Sequence, residues 1–173
     1  MSSNFPTLPP GYVHVHHTFE PVFDAQSRIL ILGSFPSVKS RENQFYYGHP
    51  QNRFWKLMAL LLNVSIPLTI HEKKTMLLTH GLALWDVIES CDIKGSSDSS
   101  IKHAVPADIN RILKAADIHT IIANGGTAFR LYGRYCEPMT GRPAILCPST
   151  SPANAAFSLE RLAQNWGPVL TKE

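Results

Sequence analysis

The 173-residue chain lacks the features of fibrous, disordered and membrane-spanning proteins. Charged residues make up 17% and hydrophobic residues 44%, a balance that excludes collagen-like and intrinsically disordered chains. The longest apolar run, residues 57–62, is much shorter than the roughly 18–20 residues of a membrane span. The N-terminus has neither the basic nor the apolar region of a secretory signal. We therefore expect one domain over residues 1–173, irregular over 1–12, in a prokaryote-like cytoplasm and without membrane contact.

Cysteine is also scarce, with Cys91, Cys136 and Cys147 alone in the chain. An odd number at wide spacing fits neither a disulfide framework nor a cysteine-based zinc site, so a reducing compartment is expected. Histidines 14, 16 and 17 cluster without a paired cysteine or an HExxH spacing, and we expect them at a solvated edge rather than around a metal. No metal and no cofactor is expected. A net charge of +3 permits a nucleic-acid partner but does not indicate one.

Short apolar runs alternate with helical patterns along the chain. Strands are predicted over 27–32, 82–88, 119–123 and 143–147, and helices from Pro50, over 71–80, after Pro106, after 124–126 and around 156–166. This alternation predicts an α/β fold, a three-layer α/β/α sandwich with a central, mainly parallel four-stranded sheet.

Segments rich in glycine, serine and proline follow three of these strands, at residues 33–37, 124–126 and 148–152, and Asp86 lies near the end of the fourth. Ligands of open parallel sheets bind at the carboxyl ends of the strands, so this rim is the predicted site. The turn Gly33–Ser37 is neither a P-loop nor a nucleophile elbow, but its backbone N–H groups suit an anion. Residues 45–55 interleave aromatic rings with amides and a guanidinium, a composition suited to a base extruded from DNA.

Three segments together resemble one known family: Ile31–Ser37, Tyr47–Trp55 and Pro148–Asn154. They are similar to the uracil-DNA glycosylase superfamily and, within it, to the hypoxanthine-DNA (DNA-deoxyinosine) glycosylases, over about residues 28–166. The resemblance implies base excision repair by a monofunctional DNA glycosylase that hydrolyses the N-glycosidic bond of a deaminated base. Hypoxanthine is the expected base, with uracil and xanthine as alternatives. Damaged DNA is the implied partner, and the chain is expected to be monomeric.

The chain departs from the uracil enzymes at three places. Phe35 occupies the position where those enzymes carry a water-activating Asn or Asp, Cys147 replaces a histidine, and no wedge leucine follows Ser149. Pro152 or Ala153 is the candidate wedge.

The resemblance also implies roles for individual residues. Asn52, at the start of a helix, positions the water through its amide oxygen as the catalytic residue. The base is bound by Gly33, Ser34, Phe35, Tyr47 and Asp86, and the DNA backbone by Ser37, Ser149 and Ser151. Tyr47 matches an aromatic residue that stacks on the extruded base.

Asp86 has a chemical argument of its own. Hypoxanthine carries a donor at N1–H, whereas adenine has a lone pair at N1, so a carboxylate acceptor favours the deaminated purine. Uracil N3–H satisfies the same acceptor. A helix cap or an ion pair is an equally open interpretation of Asp86.

Two other classes of function stay open at this point. A nucleic-acid-binding module without activity would explain the loss of the usual catalytic residue at Phe35. A serine hydrolase would use Ser34 or Ser149 with a histidine.

Overall fold

The computed structural model describes residues 7–171, and the first six residues of the expected irregular segment lie outside that range. The strands are β1 (Tyr12–His16), β2 (Ile29–Gly33), β3 (Leu82–Asp86), β4 (Ile88–Lys94), β5 (Lys102–Pro106), β6 (Thr120–Asn124) and β7 (Ile145–Cys147). The helices are α1 (Val38–Asn43), α2 (Phe54–Leu62), α3 (Ile70–Thr79), α4 (Asn110–Ala115), α5 (Gly126–Leu131), α6 (Glu137–Thr140) and α7 (Leu159–Leu170). A short 3₁₀ turn covers Asp98–Ser100, and a π-helical turn, Tyr132–Cys136, joins α5 to α6.

Four strands form a parallel sheet in the order β3-β2-β6-β7. The central strand β2 reads Ile-Leu-Ile-Leu-Gly without polar alternation, and Leu30, Ile31 and Leu32 are completely buried. A continuous apolar run of this kind is typical of a parallel strand that is covered on both faces. The predicted α/β fold with a parallel four-stranded sheet is confirmed.

A second, antiparallel sheet of order β1-β4-β5 was not predicted. The predicted strand 82–88 is wrong at its end, because the chain leaves the parallel sheet after Asp86 and enters β4 at Ile88. Both stretches are buried, so one unbroken apolar run conceals the change of partner strand. The crossing is held by the N–H groups of Val87 and Ile88, which donate to the carbonyl oxygens of Gly33 and Ser34.

The helix expected from Pro50 begins at Phe54 instead, and Pro50 lies in a turn. Asn52 precedes the helix and accepts a hydrogen bond from the N–H of Phe54 at 2.9 Å. This local bond places the Asn52 amide at the helix N-terminus.

Candidate active site

The carboxyl ends of all four parallel strands open onto one cavity of about 360 Å³, a size in the range of small-ligand sites. All nine residues singled out from the sequence line it: Gly33, Ser34, Phe35, Ser37, Tyr47, Asn52, Asp86, Ser149 and Ser151. The structure thus brings them together, and their individual roles stay predictions.

Gly33 ends β2 at the floor of this cavity. A Cβ atom there would lie 2.4 Å from Asp86 Oδ1 and 3.0 Å from Tyr47 Oη. No side chain fits without moving both groups, so glycine at this position keeps the carboxylate and the phenol close together.

Asp86 forms a buried pair with His17. His17 Nε2 lies 2.8 Å from Asp86 Oδ2, and the two side chains are 3% and 4% exposed. The expected solvated edge is therefore wrong for His17, although His14 and His16 are exposed. The physical reason is the unpredicted sheet, since β1 pairs with β4 and carries the chain back to the end of β3.

Tyr47 contributes a ring that stacks on Phe54, with centroids 4.2 Å apart and planes inclined at 27°. Its φ of 54° lies in the left-handed region, which non-glycine residues rarely adopt. The Oη atom is buried and makes no hydrogen bond with the described residues, although the Asn124 amide lies nearby. Burial, followed by the negative charge of Asp86, raises the pKa of Tyr47, so the phenol keeps its proton.

Asn52 belongs to a hydrogen-bonded network across the cavity. Its Oδ1 accepts from the Phe54 N–H and also from Thr150 Oγ1 at 2.9 Å. Thr150 Oγ1 in turn accepts from Asn124 Nδ2, and the Thr150 N–H donates to Asn124 Oδ1. Because both lone pairs of Asn52 Oδ1 are occupied, the free group of this amide is the donor Nδ2. This differs from the expectation that the amide oxygen orients the water.

Arg53 lies behind this network and binds protein backbone rather than facing the cavity. Its guanidinium donates to the carbonyl oxygens of Ser151 and Asn154, at 2.9 and 3.0 Å, and of Phe157. The guanidinium that the sequence associated with base recognition thus holds the loop after β7 in place.

A second carboxylate, Asp98, lies at the rim and accepts a hydrogen bond from Ser34 Oγ at 2.8 Å. Desolvation by the surrounding protein raises the pKa of Asp98, while the hydrogen bond from the Ser34 hydroxyl lowers it. Within residues 7–171 neither Ser34 nor Ser149 is hydrogen-bonded to a histidine. The structure therefore lacks the nucleophile–base pair on which the serine-hydrolase alternative depends.

The three serines expected to bind phosphates also have local partners. Ser37 Oγ caps α1 by accepting from the Ser40 N–H. Ser149 Oγ accepts from the Ser151 N–H, and Ser151 Oγ from the Ala153 N–H. These bonds leave all three side chains half-buried beside the cavity.

Four further residues of this site were not assigned a role from the sequence: His17, Asp98, Asn124 and Thr150. Asn124 ends β6 and Thr150 follows β7, so their place at strand ends was the available signal. His17 and Asp98 depend on the second sheet, for which the sequence pattern gave no clear indication.

No group of three or more metal-binding side chains occurs in the described range. Nor does that range contain a helix long and apolar enough to cross a membrane.

All three cysteines are buried and unpaired, and burial raises the pKa of each thiol to about 11.

Comparisons with known proteins agree with this geometry. A protein named hypoxanthine DNA glycosylase from Methanosarcina acetivorans is 35% identical over 147 residues, which cover 83% of this chain and 90% of the relative. A protein of the same name from Methanosarcina barkeri is 34% identical over 112 residues, 62% of this chain and 69% of the relative. A solution NMR structure of a candidate uracil DNA glycosylase from Methanosarcina acetivorans superimposes with a TM-score of 0.75 at 32% identity, covering 88% and 94% of the two chains. The family model of the uracil DNA glycosylase superfamily matches residues 20–166. The chain therefore belongs to the uracil DNA glycosylase superfamily.

Proposed function

We propose that this chain hydrolyses the N-glycosidic bond of deoxyinosine in DNA and releases hypoxanthine. Its superfamily makes it a DNA glycosylase that acts on deaminated bases, and the two Methanosarcina relatives are named for hypoxanthine. The observation that carries the choice of base is the hydrogen bonding of the two Asp86 carboxylate oxygens. One of its oxygens is bound by His17, while Oδ1, at the cavity floor, accepts no hydrogen bond from the described residues.

This free carboxylate oxygen complements the edge of a deaminated base. The N1–H of hypoxanthine donates to it, whereas the N1 lone pair of adenine is repelled by it. Uracil and xanthine also present an N–H at this edge, so they stay alternative substrates that the same acceptor would admit. The carboxylate thus selects a deaminated base over adenine, and the shape of the cavity must select among deaminated bases.

In the proposed reaction the bond between C1′ and the base nitrogen breaks, and its electron pair passes to the base. A water molecule attacks C1′ and releases its proton to solvent. Asn52 positions this water through Nδ2, so its contribution is orientation rather than proton abstraction. Backbone N–H groups of the Gly33–Ser37 turn stabilise the negative charge of the departing base.

The reaction is proposed to stop at an abasic site. None of the described residues that line the cavity is a lysine, so this surface offers no amine to form a Schiff base with the opened sugar. We infer a monomeric enzyme in which Ser37, Ser149 and Ser151 contact the backbone phosphates that flank the extruded nucleotide.

Excision from matched duplexes tests this proposal. Each duplex carries deoxyinosine, deoxyuridine, deoxyxanthosine or, as the control, deoxyadenosine at one position, and alkali cleaves the strand at any abasic site. The deoxyinosine strand should be cleaved after alkali and intact without it, and the deoxyadenosine strand intact throughout. If the chain binds all four duplexes and leaves every strand intact, it is a binding module rather than an enzyme.

A further inference from the structure

His17 lies next to the base-binding carboxylate but outside the three segments that carry the family resemblance. It follows β1 directly, and its backbone N–H donates to the carbonyl oxygen of Glu89 at 2.6 Å. Glu89 belongs to β4, three residues after Asp86. Pairing of β1 with β4 therefore fixes the His17 backbone, so the imidazole reaches Asp86 from a rigid element.

The imidazole is enclosed by aromatic rings apart from its contact with Asp86. Its centroid lies 4.4 Å from that of Phe19, 5.8 Å from Tyr46 and 6.3 Å from Phe35. The Nδ1 atom is buried and has no hydrogen-bond partner among the described residues. The bond from Nε2 to Asp86 Oδ2 is thus the single polar contact of this ring in the described range.

A polar ring in such a cage lowers the stability of the fold, because a phenylalanine would fill the same space without an unpaired nitrogen. The hydrogen bond to Asp86 is the one contact that the histidine makes and a phenylalanine could not. Nε2 faces a carboxylate and therefore carries the proton. Because Oδ2 is hydrogen-bonded to His17, the carboxylate oxygen available to a ligand is Oδ1, which lies at the cavity floor beside Gly33.

We propose that His17 is a positioning residue that holds the Asp86 carboxylate so that Oδ1 accepts the N–H of the extruded base. The inference rests on the proposed function and adds a specificity-determining residue to it. His17 does not touch the base. Without its hydrogen bond, Asp86 is free to rotate and its two oxygens compete for the same donor.

Two substitutions separate this role from a packing role. His17→Phe keeps an aromatic ring in the cage and removes the donor, whereas His17→Gln removes the ring and keeps an N–H donor that reaches Asp86. We expect His17→Phe to keep most of the thermal stability and to lower single-turnover excision of deoxyinosine about ten-fold, the lower end of the value of one hydrogen bond to a charged group. His17→Gln should be the less stable variant and the more active one.

A residue that serves packing alone would give the opposite order, with His17→Phe the more active, and that order would overturn the proposal. His14→Phe is the matched control, because His14 Nδ1 lies 2.7 Å from Asp92 Oδ1 in a histidine–aspartate pair on the same segment, away from the cavity. Its excision rate should equal that of the wild type.

The Asp86→Ala background completes the test. Since His17 acts through Asp86, adding His17→Phe to Asp86→Ala should lower the rate no further, whereas an independent loss of about ten-fold would refute the coupling. Failure of the proposed function is seen separately, as a wild-type chain that excises none of the three deaminated bases. Equal rates for the wild type and His17→Phe would refute only the present inference.

Discussion

The two walls of the cavity differ in how completely their polar atoms are hydrogen-bonded. On the first, the paired wall (Asn52, Asn124 and Thr150), each amide oxygen and the threonine hydroxyl have partners. On the second, the open wall (Tyr47 and Asp86), Tyr47 Oη and Asp86 Oδ1 have none among the described residues, and His17 lies behind this wall without lining the cavity.

The difference indicates which wall is scaffold and which meets the ligand. A buried polar atom without a partner costs about 1–3 kcal/mol, so an open wall is maintained only where another molecule completes it. A wall whose atoms satisfy one another contributes stability and holds its side chains in fixed orientations. Asn52 has a feature of both walls, because its Oδ1 is hydrogen-bonded within the protein and its Nδ2 is free to meet a ligand.

The largest expected effect is at Asn52. Asn52→Ala should reduce single-turnover excision of deoxyinosine by about 100-fold or more, because a positioned water is lost. DNA affinity should be nearly unchanged, since phosphate contacts dominate it. Asn52→Asp is the informative partner variant, because it keeps both hydrogen bonds to Oδ1 and lacks the Nδ2 donor. Near-normal excision by Asn52→Ala would remove Asn52 from the mechanism, and wild-type activity of Asn52→Asp would show that the Nδ2 donor is not required.

The next largest effect is at Asp86, on the open wall. Asp86→Ala leaves the N–H of the base unmatched, which costs about 1–3 kcal/mol, or roughly ten- to two-hundred-fold in the single-turnover rate. Asp86→Asn should be milder, because its amide oxygen can face the base while its NH₂ group faces His17. The His17 ring permits this by moving its proton to Nδ1, which has no other partner. Equal excision rates for the wild type and both variants would return Asp86 to a purely structural role.

Each wall was foreseen only in part: Asn52 on the paired wall and Tyr47 and Asp86 on the open wall were assigned roles from the sequence, whereas Asn124 and Thr150 were not. Asn52 and Thr150 lie in motifs that adjoin a helix start and a strand end, so local pattern and the rule for parallel sheets bring them together. The clustering of Gly33, Asp86 and Asn124 at one rim follows from the same strand assignments.

The conformation of the open-wall side chains depends on contacts that no local pattern encodes. His17 reaches Asp86 because β1 pairs with β4, a pairing between residues more than 70 positions apart. The unbroken apolar run 82–88 concealed the passage from one sheet to the other, and β5 contains too few apolar residues to be recognised as a strand. The left-handed backbone of Tyr47 was equally unforeseen, because tyrosine is not a residue that favours positive φ.

Thr150→Val tests the paired wall with a nearly isosteric change. The variant loses the hydroxyl that accepts from Asn124 and donates to Asn52, and the residue is completely buried. We expect the free energy of unfolding to fall by about 1–3 kcal/mol, measured by urea denaturation. Excision should fall by about ten-fold or less, because Asn52 keeps its bond to the Phe54 N–H. Thr150→Ser retains the hydroxyl and is the control, and a valine variant as stable as the wild type would contradict the scaffold role of this wall.

The smallest expected effect is at Tyr47. Loss of its hydroxyl should not lower the stability if Tyr47 belongs to the open wall, and should lower it if Tyr47 belongs to the paired wall. Tyr47→Phe removes a buried hydroxyl without a partner, so the free energy of unfolding should be unchanged or raised. Tyr132→Phe is the matched contrast, because its hydroxyl contacts Thr140 Oγ1 at 2.9 Å and donates to the Arg142 carbonyl oxygen at 2.6 Å, and its loss should cost about 1 kcal/mol. Since the pKa values of Tyr47 and Tyr132 are both raised, both tyrosines are neutral near pH 7 and ionisation does not affect the comparison.

Excision of deoxyinosine by Tyr47→Phe should fall about two- to ten-fold, the value of one neutral hydrogen bond to the base. A loss of stability as large as that of Tyr132→Phe would show that the Tyr47 hydroxyl has a partner within the protein, and would move Tyr47 to the paired wall.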